Sequence, residues 1–225
     1  MSQNYYLTRT LFIDDQKSSE TELLKASNYI VVLAEPGAGK TELMKSLAQK
    51  LGSSVVTANS FSHNEAVSEG TPLIIDAFDE LAKVDATGIH KLLAKASRAN
   101  PTHIIISSRS SEWDISSTSD FQQVIGHAPT VARLCGFDES EQRQIYSHYT
   151  EDGNFTAFQD EVTRFSLEPL LANPQMLILF SNSYTDSKGR FKDKYSIFTS
   201  AIKNLAKEAN PNTKHTYCLS RGKKI

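Results

Sequence analysis

The chain has 225 residues, enough for one sizeable α/β domain with a small helical appendage. Its 39% hydrophobic and 22% charged residues fit a globular protein, and its net charge of −2 argues against a strongly basic nucleic-acid surface. No apolar run approaches the roughly 18 residues of a membrane-spanning helix, and the first residues lack a basic-then-apolar leader pattern. The two cysteines, Cys135 and Cys218, lie far apart and suggest neither a disulfide framework nor a zinc site. The cytoplasm is the expected compartment.

Residues 1–17 mix aromatic residues with Asp14-Asp15 and read as an irregular lead-in. Ser19 with Glu22 fits a capping box for a short helix ending near Asn28. An apolar strand from Ile30 to Ala34 then runs into Glu35-Pro36-Gly37-Ala38-Gly39-Lys40-Thr41. A helix follows from Thr41 to about Leu51, with Leu43, Leu47 and Leu51 on one face and Met44 beside them. Gly52 stops it. Val55-Val56 reads as a second strand, residues 59–70 as a short helix or loop, and Leu73-Ile74-Ile75-Asp76 as a third strand. A helix over Asp85–Ala99 carries Ile89, Leu92, Leu93 and Ala96 at helical spacing and ends at Asn100-Pro101. His103–Ser107 and Thr130–Leu134 are two further strands.

After Phe137 the pattern is helical only. Asp138 with Glu141 fits a capping box for a helix to about Tyr149. Thr156 with Gln159 opens another, with Phe158, Val162 and Phe165 sharing a face. Asn173-Pro174 reads as an N-cap and first helical residue before the apolar run Met176–Phe180. Residues 183–193 read as a polar loop. A last helix, about Lys194 to Ala209, places Phe198, Ile202, Leu205 and Ala209 on one face. The tail shows no periodicity and reads as disordered. Strands that are apolar throughout, separated by helices, give an α/β fold. The expected core is a parallel sheet of about five strands flanked by helices, followed by a small all-helical lid domain. The corresponding segments are a lead-in at 1–28, the core at 29–137, the helical domain at 138–210 and the tail at 211–225.

The stretch 34–41 fits a phosphate-binding loop between a strand and a helix. It follows the pattern G-x-x-x-x-G-K-[ST] with Ala34 in the first glycine position. Gly37 and Gly39 allow backbone angles closed to other residues, so N–H groups from Glu35 to Glu42 can face anionic oxygens. Lys40 would reach the β/γ-phosphates and Thr41 would hold Mg²⁺. Asp76, 36 residues after Lys40 at a strand end, offers a second metal ligand. Asp79 or Glu80 would serve as the base for an attacking water, with Glu80 preferred. The competing reading of these carboxylates is a solvated acidic turn. Arg109 would neutralise charge at the γ-phosphate, or pair with Asp79 or Glu112 across the sheet edge. Ser107 or Ser108 could bond the water or the phosphate. In a parallel sheet, ligands sit outside the carboxyl ends of the strands, so these segments should converge on one edge. Trp113 would pack rather than stack on a base. The six histidines show no metal-ligand spacing.

Three stretches together resemble the NACHT-like branch of the STAND P-loop ATPases. They are Ala-Glu-Pro-Gly-Ala-Gly-Lys-Thr (34–41), Leu-Ile-Ile-Asp-Ala-Phe-Asp-Glu (73–80) and Ile-Ile-Ile-Ser-Ser-Arg (104–109). Ala77 stands where that family frequently has glycine. Leu-Cys-Gly-Phe-Asp-Glu-Ser-Glu (134–141) and Leu-Leu-Ala-Asn-Pro-Gln-Met-Leu (170–177) are also similar to it. The resemblance covers about residues 28–209. It implies ATP and Mg²⁺ as cofactors, a nucleotide contact at Pro174, and a switch between ADP and ATP states, often in immune or antiphage signalling. The family's winged-helix and sensor-repeat regions have no counterpart in the 225 residues. Expected partners are ATP and ADP, with self-association or a protein partner through the helical domain. A membrane and nucleic acid are not indicated. Alternatives are a nucleotide-binding interaction module with negligible hydrolysis, and an ATPase assisting a nucleic-acid process.

Overall fold

The computed structural model describes residues 5–63, 68–84, 88–150 and 153–208. The expected helix start at Asp85, the helix end at Ala209-Asn210-Pro211, His215, Cys218 and the tail lie outside them. The chain divides into two units, Met1–Gly136 and Phe137–Ile225.

The first unit is α/β. Its strands are β1 (Thr10–Ile13), β2 (Gln16–Ser19), β3 (Tyr29–Leu33), β4 (Val55–Thr57), β5 (Leu73–Asp76), β6 (Ile104–Ser108) and β7 (Thr130–Leu134). They form one sheet in the order β2-β1-β7-β3-β6-β5-β4. The five from β3 onward are parallel, whereas β1 is antiparallel to both β2 and β7. The helices are α1 (Glu20–Ala26), α2 (Lys40–Lys50), α3 (Ala58–His63), α4 (Phe78–Val84), α5 (Gly88–Arg98) and α6 (Ile115–Ile125).

The central strands are apolar at every position because each of their faces meets a different core. Val31, Leu33, Leu73, Ile75, Ile104 and Ile106 pack with Phe61, Phe78, Leu92, Leu93 and Phe121 of α3 to α6. The alternate residues Ile30, Val32, Ile74 and Ile105 pack with Leu23 of α1 and Leu43, Met44 and Leu47 of α2. Side chains alternate across a strand, so an apolar residue at both parities means helices on both sides.

The sheet is wider than expected, because the lead-in is a hairpin rather than irregular chain. Asp14 and Asp15 both take positive φ, 46° and 62°, between Ile13 and its partner Gln16. Two left-handed residues make the two-residue turn that matches strand twist. Leu11 is fully buried while neighbouring Phe12 is 39% exposed, so β1 has one wet face. Two helices also went unanticipated: α4 begins at Phe78, directly after β5, and α6 starts at the N-cap Asp114, whose side chain accepts from Ser117 N–H. Trp113 is buried, its ring edge-to-face with Phe78, and its Nε1 donates to Thr118 Oγ1 at 3.0 Å.

The second unit holds α7 (Glu139–Tyr149), α8 (Phe155–Thr163), α9 (Pro174–Asp186) and α10 (Lys194–Glu208), with a 3₁₀ turn at Glu168–Ala172. Asp138 and Glu141 form the capping box of α7. The cap of α8 is Asn154, not Thr156, because the Asn154 carboxamide accepts from Ala157 N–H. Helix α9 runs through Asp186, well into the stretch expected as loop. On α10 the buried face is Ile197 and Ala201, whereas Ile202 is 64% exposed. The expected face was therefore rotated by one residue. Among the described residues no helix is long and apolar enough to cross a membrane.

One buried carboxylate ties the hairpin region to the helices. Glu20, at the first position of α1, is fully buried. Its Oε1 accepts from Arg9 N–H at 2.7 Å and the Tyr6 hydroxyl at 2.5 Å. Its Oε2 accepts from Ser46 Oγ at 2.6 Å and pairs with Lys50 at 2.9 Å, both on α2. Burial raises the Glu20 carboxyl, but the bonds from Arg9, Ser46, Tyr6 and Lys50 outweigh it and leave it below its ordinary value. Burial and the Glu20 carboxylate push the Tyr6 phenol well above its usual range. A carboxylate with a depressed folded-state pKa stabilises the fold above its unfolded value of about 4.5 and loses that contribution as pH falls through the folded one. Urea denaturation across pH 3 to 7 should show this loss on acidification, and Glu20→Gln should lower stability at pH 7 by about 2 kcal/mol and flatten the acid limb.

Candidate functional site

Strand β3 delivers the 34–41 loop to the carboxyl edge of the sheet. Ala34 continues the strand, its N–H donating to Ser108 O at 3.1 Å, and it is 3% exposed. It is not among the positive-φ residues, so its methyl group is accommodated where the motif has glycine. Gly37 and Gly39 take φ of 75° and 87°, which side chains resist. Gly39 is the N-cap of α2, and Lys40 is the first residue of that helix. The loop therefore ends on the donor-rich start of an 11-residue helix.

Asp79 and Asp76 organise the side chains there. Lys40 Nζ pairs with Asp79 Oδ1 at 2.8 Å, and Arg109 Nε with Asp79 Oδ2 at 2.8 Å. Both oxygens of Asp79 thus hold a cation, with the carboxylate side chain 3% exposed. Thr41 Oγ1 donates to Asp76 Oδ2 at 2.7 Å, and Ser107 Oγ donates to Asp76 Oδ1. Ala77 N–H reaches both Asp76 Oδ1 and Ser107 Oγ, at 2.9 and 3.0 Å. The three strand ends meet here because their registers align: Leu33 pairs with Ser108, and Ile75 with Ile106.

Lys40, Thr41, Asp76, Asp79 and Arg109 are one connected cluster. Of the two serines, Ser107 joins it. Ser108 has the strand parity of Ile104 and Ile106, and its Oγ is buried with no hydrogen-bond partner among the described residues; nothing in the structure explains it. Glu80 is exposed beside the cluster, in the first turn of α4. The acidic run is thus a helix start rather than a solvated turn, with Asp79 buried and Glu80 in water. Glu35 and Pro36 are exposed on the loop, Ala38 is buried, and Glu42 is engaged by Lys45 at 2.7 Å. Glu112 is not the partner that Arg109 takes. Pro174 is the first residue of α9 in the second unit, capped by Asn173, whose carboxamide accepts from Gln175 and Met176 N–H. The sequence reading missed Arg9, only 4% exposed, whose Nη1 donates to Ala38 O at 2.7 Å. An arginine in a stretch read as irregular carries no signal of that contact.

The donor set fits a hard cation held jointly with a phosphate. Thr41 and Asp76 supply oxygens 2.7 Å apart. Among the described residues no group of three His, Cys, Asp or Glu could hold a metal; a Mg²⁺ ion held by few protein oxygens takes the rest of its shell from phosphate and water. The Lys40 and Arg109 cations supply charge for an anion beside it.

Ala77 sits at φ 60°, a conformation that costs a residue with a Cβ about 1–2 kcal/mol. It turns β5 into α4 and aims its N–H at Asp76. Ala77→Gly should therefore raise stability by about 1 kcal/mol, after the greater unfolded-state freedom of glycine is subtracted. The check is an upward shift of the urea midpoint with an unchanged slope.

No protein-family model matches the chain, and no curated protein matches it at a significant level.

Proposed function

We propose that the chain is a Mg²⁺-dependent ATPase of the NACHT-like STAND type, in which residues 34–41 are a phosphate-binding loop and nucleotide state drives a conformational switch. The convergence of Lys40, Thr41, Asp76, Asp79 and Arg109 beside two left-handed glycines carries this reading. A triphosphate is a stronger partner for Lys40 than one carboxylate, so Lys40 exchanges Asp79 for the β/γ-phosphates. Thr41 and Asp76 hold the cation, which when bound neutralises phosphate charge. Arg109 stabilises the charge that develops at the γ-phosphate. Glu80 takes the proton of the attacking water. Asp79, which Lys40 and Arg109 leave as they turn to the phosphates, is the other candidate base.

A second reading, a nucleotide-binding interaction module with negligible turnover, gains from the exposure of Glu80, a base that water surrounds. Phosphate release in a single turnover separates the two.

With a fluorescent ATP analogue and Mg²⁺, Lys40→Ala should weaken binding about 30-fold or more, the loss of a charge-assisted contact. Unchanged affinity would remove the loop assignment. Glu80→Gln should bind as the parent does and slow phosphate release by about 10²-fold or more. Turnover that survives Glu80→Gln but stops with Asp79→Asn would transfer the base to Asp79.

A further inference from the structure

Arg9 has no part in the chemistry above, yet it is among the most buried charged side chains described. Its guanidinium spans two main-chain carbonyls, Nη1 to Ala38 O and Nη2 to Cys135 O, both at 2.7 Å. Its own N–H donates to Glu20, whose other oxygen accepts from Ser46 of α2. The arginine is therefore fixed against the end of β7 and against the helix that follows the loop.

The consequence lies in the Ala38–Gly39 peptide. In a trans peptide the C=O and the following N–H lie in one plane and point in opposite directions. Ala38 N–H is turned back within the loop to Glu35 O at 3.2 Å. Ala38 O is drawn toward Arg9, so Gly39 N–H points away from Arg9, at the cap of α2. We propose that Arg9 is a positioning residue for the loop, fixing the Ala38–Gly39 peptide so that Gly39 N–H faces the bound phosphate. The proposal rests on the phosphate-loop reading of residues 34–41. Lysine cannot substitute, because a single ammonium lacks the rigid fork that holds two carbonyls at once.

The test is calorimetric titration of the full chain with two probes, Mg·ATP and inorganic tripolyphosphate with Mg²⁺. Arg9→Lys and Arg9→Gln should each weaken both probes about tenfold, the value of one well-aimed hydrogen bond. The loss should be equal for the two probes, because the Gly39 amide meets phosphate and not the base. Tyr6→Phe removes a bond to the same Glu20 without touching the loop, so it should lower the thermal midpoint and leave both affinities unchanged. Parental affinity in Arg9→Lys or Arg9→Gln, or an equal affinity loss in Tyr6→Phe, would make Arg9 a structural residue only and overturn the proposal. If the parent binds neither probe, or Lys40→Ala binds as well as the parent, the phosphate reading fails and this proposal fails with it.

Discussion

The parallel register of β3, β6 and β5 is the constraint on which the site depends. Because Leu33 lies opposite Ser108 and Ile75 opposite Ile106, the three strands end at one level. Side-chain direction has a period of two, so a slip of one residue would send Asp76 and Ser107 to the opposite face of the sheet. That slip would also put Ile74 and Ile105 on the wrong side. The two hydrophobic cores thus enforce the same register that brings Asp76 to Thr41 and Ser107. Burial of apolar area, worth roughly 25 cal/mol per Å², fixes the alignment of groups that could not fix it themselves.

The polar groups of the site are already satisfied by one another. Asp79 divides itself between Lys40 and Arg109, and Asp76 gathers two hydroxyls and an N–H. Buried charges persist only when paired in this way. An anion bound there would meet cations that are already oriented, with the cost of collecting them met during folding. The strained Ala77 belongs to the same economy: a left-handed alanine is tolerated because its N–H completes the Asp76 shell.

Much of this was legible in the sequence where period and punctuation agree. The parallel strands announced themselves by unbroken apolar runs, and the caps at Ser19, Asp138 and Asn173 by residue type and spacing. The hairpin was hidden because Asp14-Asp15 is a weaker turn signal than Asn-Gly or Asp-Gly, and β1 is only four residues long. Helix α4 was hidden because its seven residues are shorter than two clear turns of pattern. The face of α10 was misjudged because Phe198 and Ile202 are as apolar as Ile197 and Ala201, so hydrophobicity alone did not choose between adjacent stripes. Asp79 was one of the two partners for Arg109 legible from the strand ends, whereas the Lys40–Asp79 pair and the reach of Arg9 to Ala38 are long-range contacts that no local pattern encodes.

Trp113 has a use beyond packing. It is the only tryptophan in the chain. Its indole lies 5.5 Å, centroid to centroid, from the ring of Phe78, the residue that precedes Asp79 in α4. It also follows Arg109 by one short turn, Ser110–Glu112. Through Phe78 and through this turn, the indole is tied by short stretches of chain to both members of the Asp79–Arg109 ion pair. An exchange of partners by Asp79 or Arg109 would take place within a few residues of this single buried indole. Intrinsic emission of Trp113 is therefore the natural label-free signal with which to follow that ion pair.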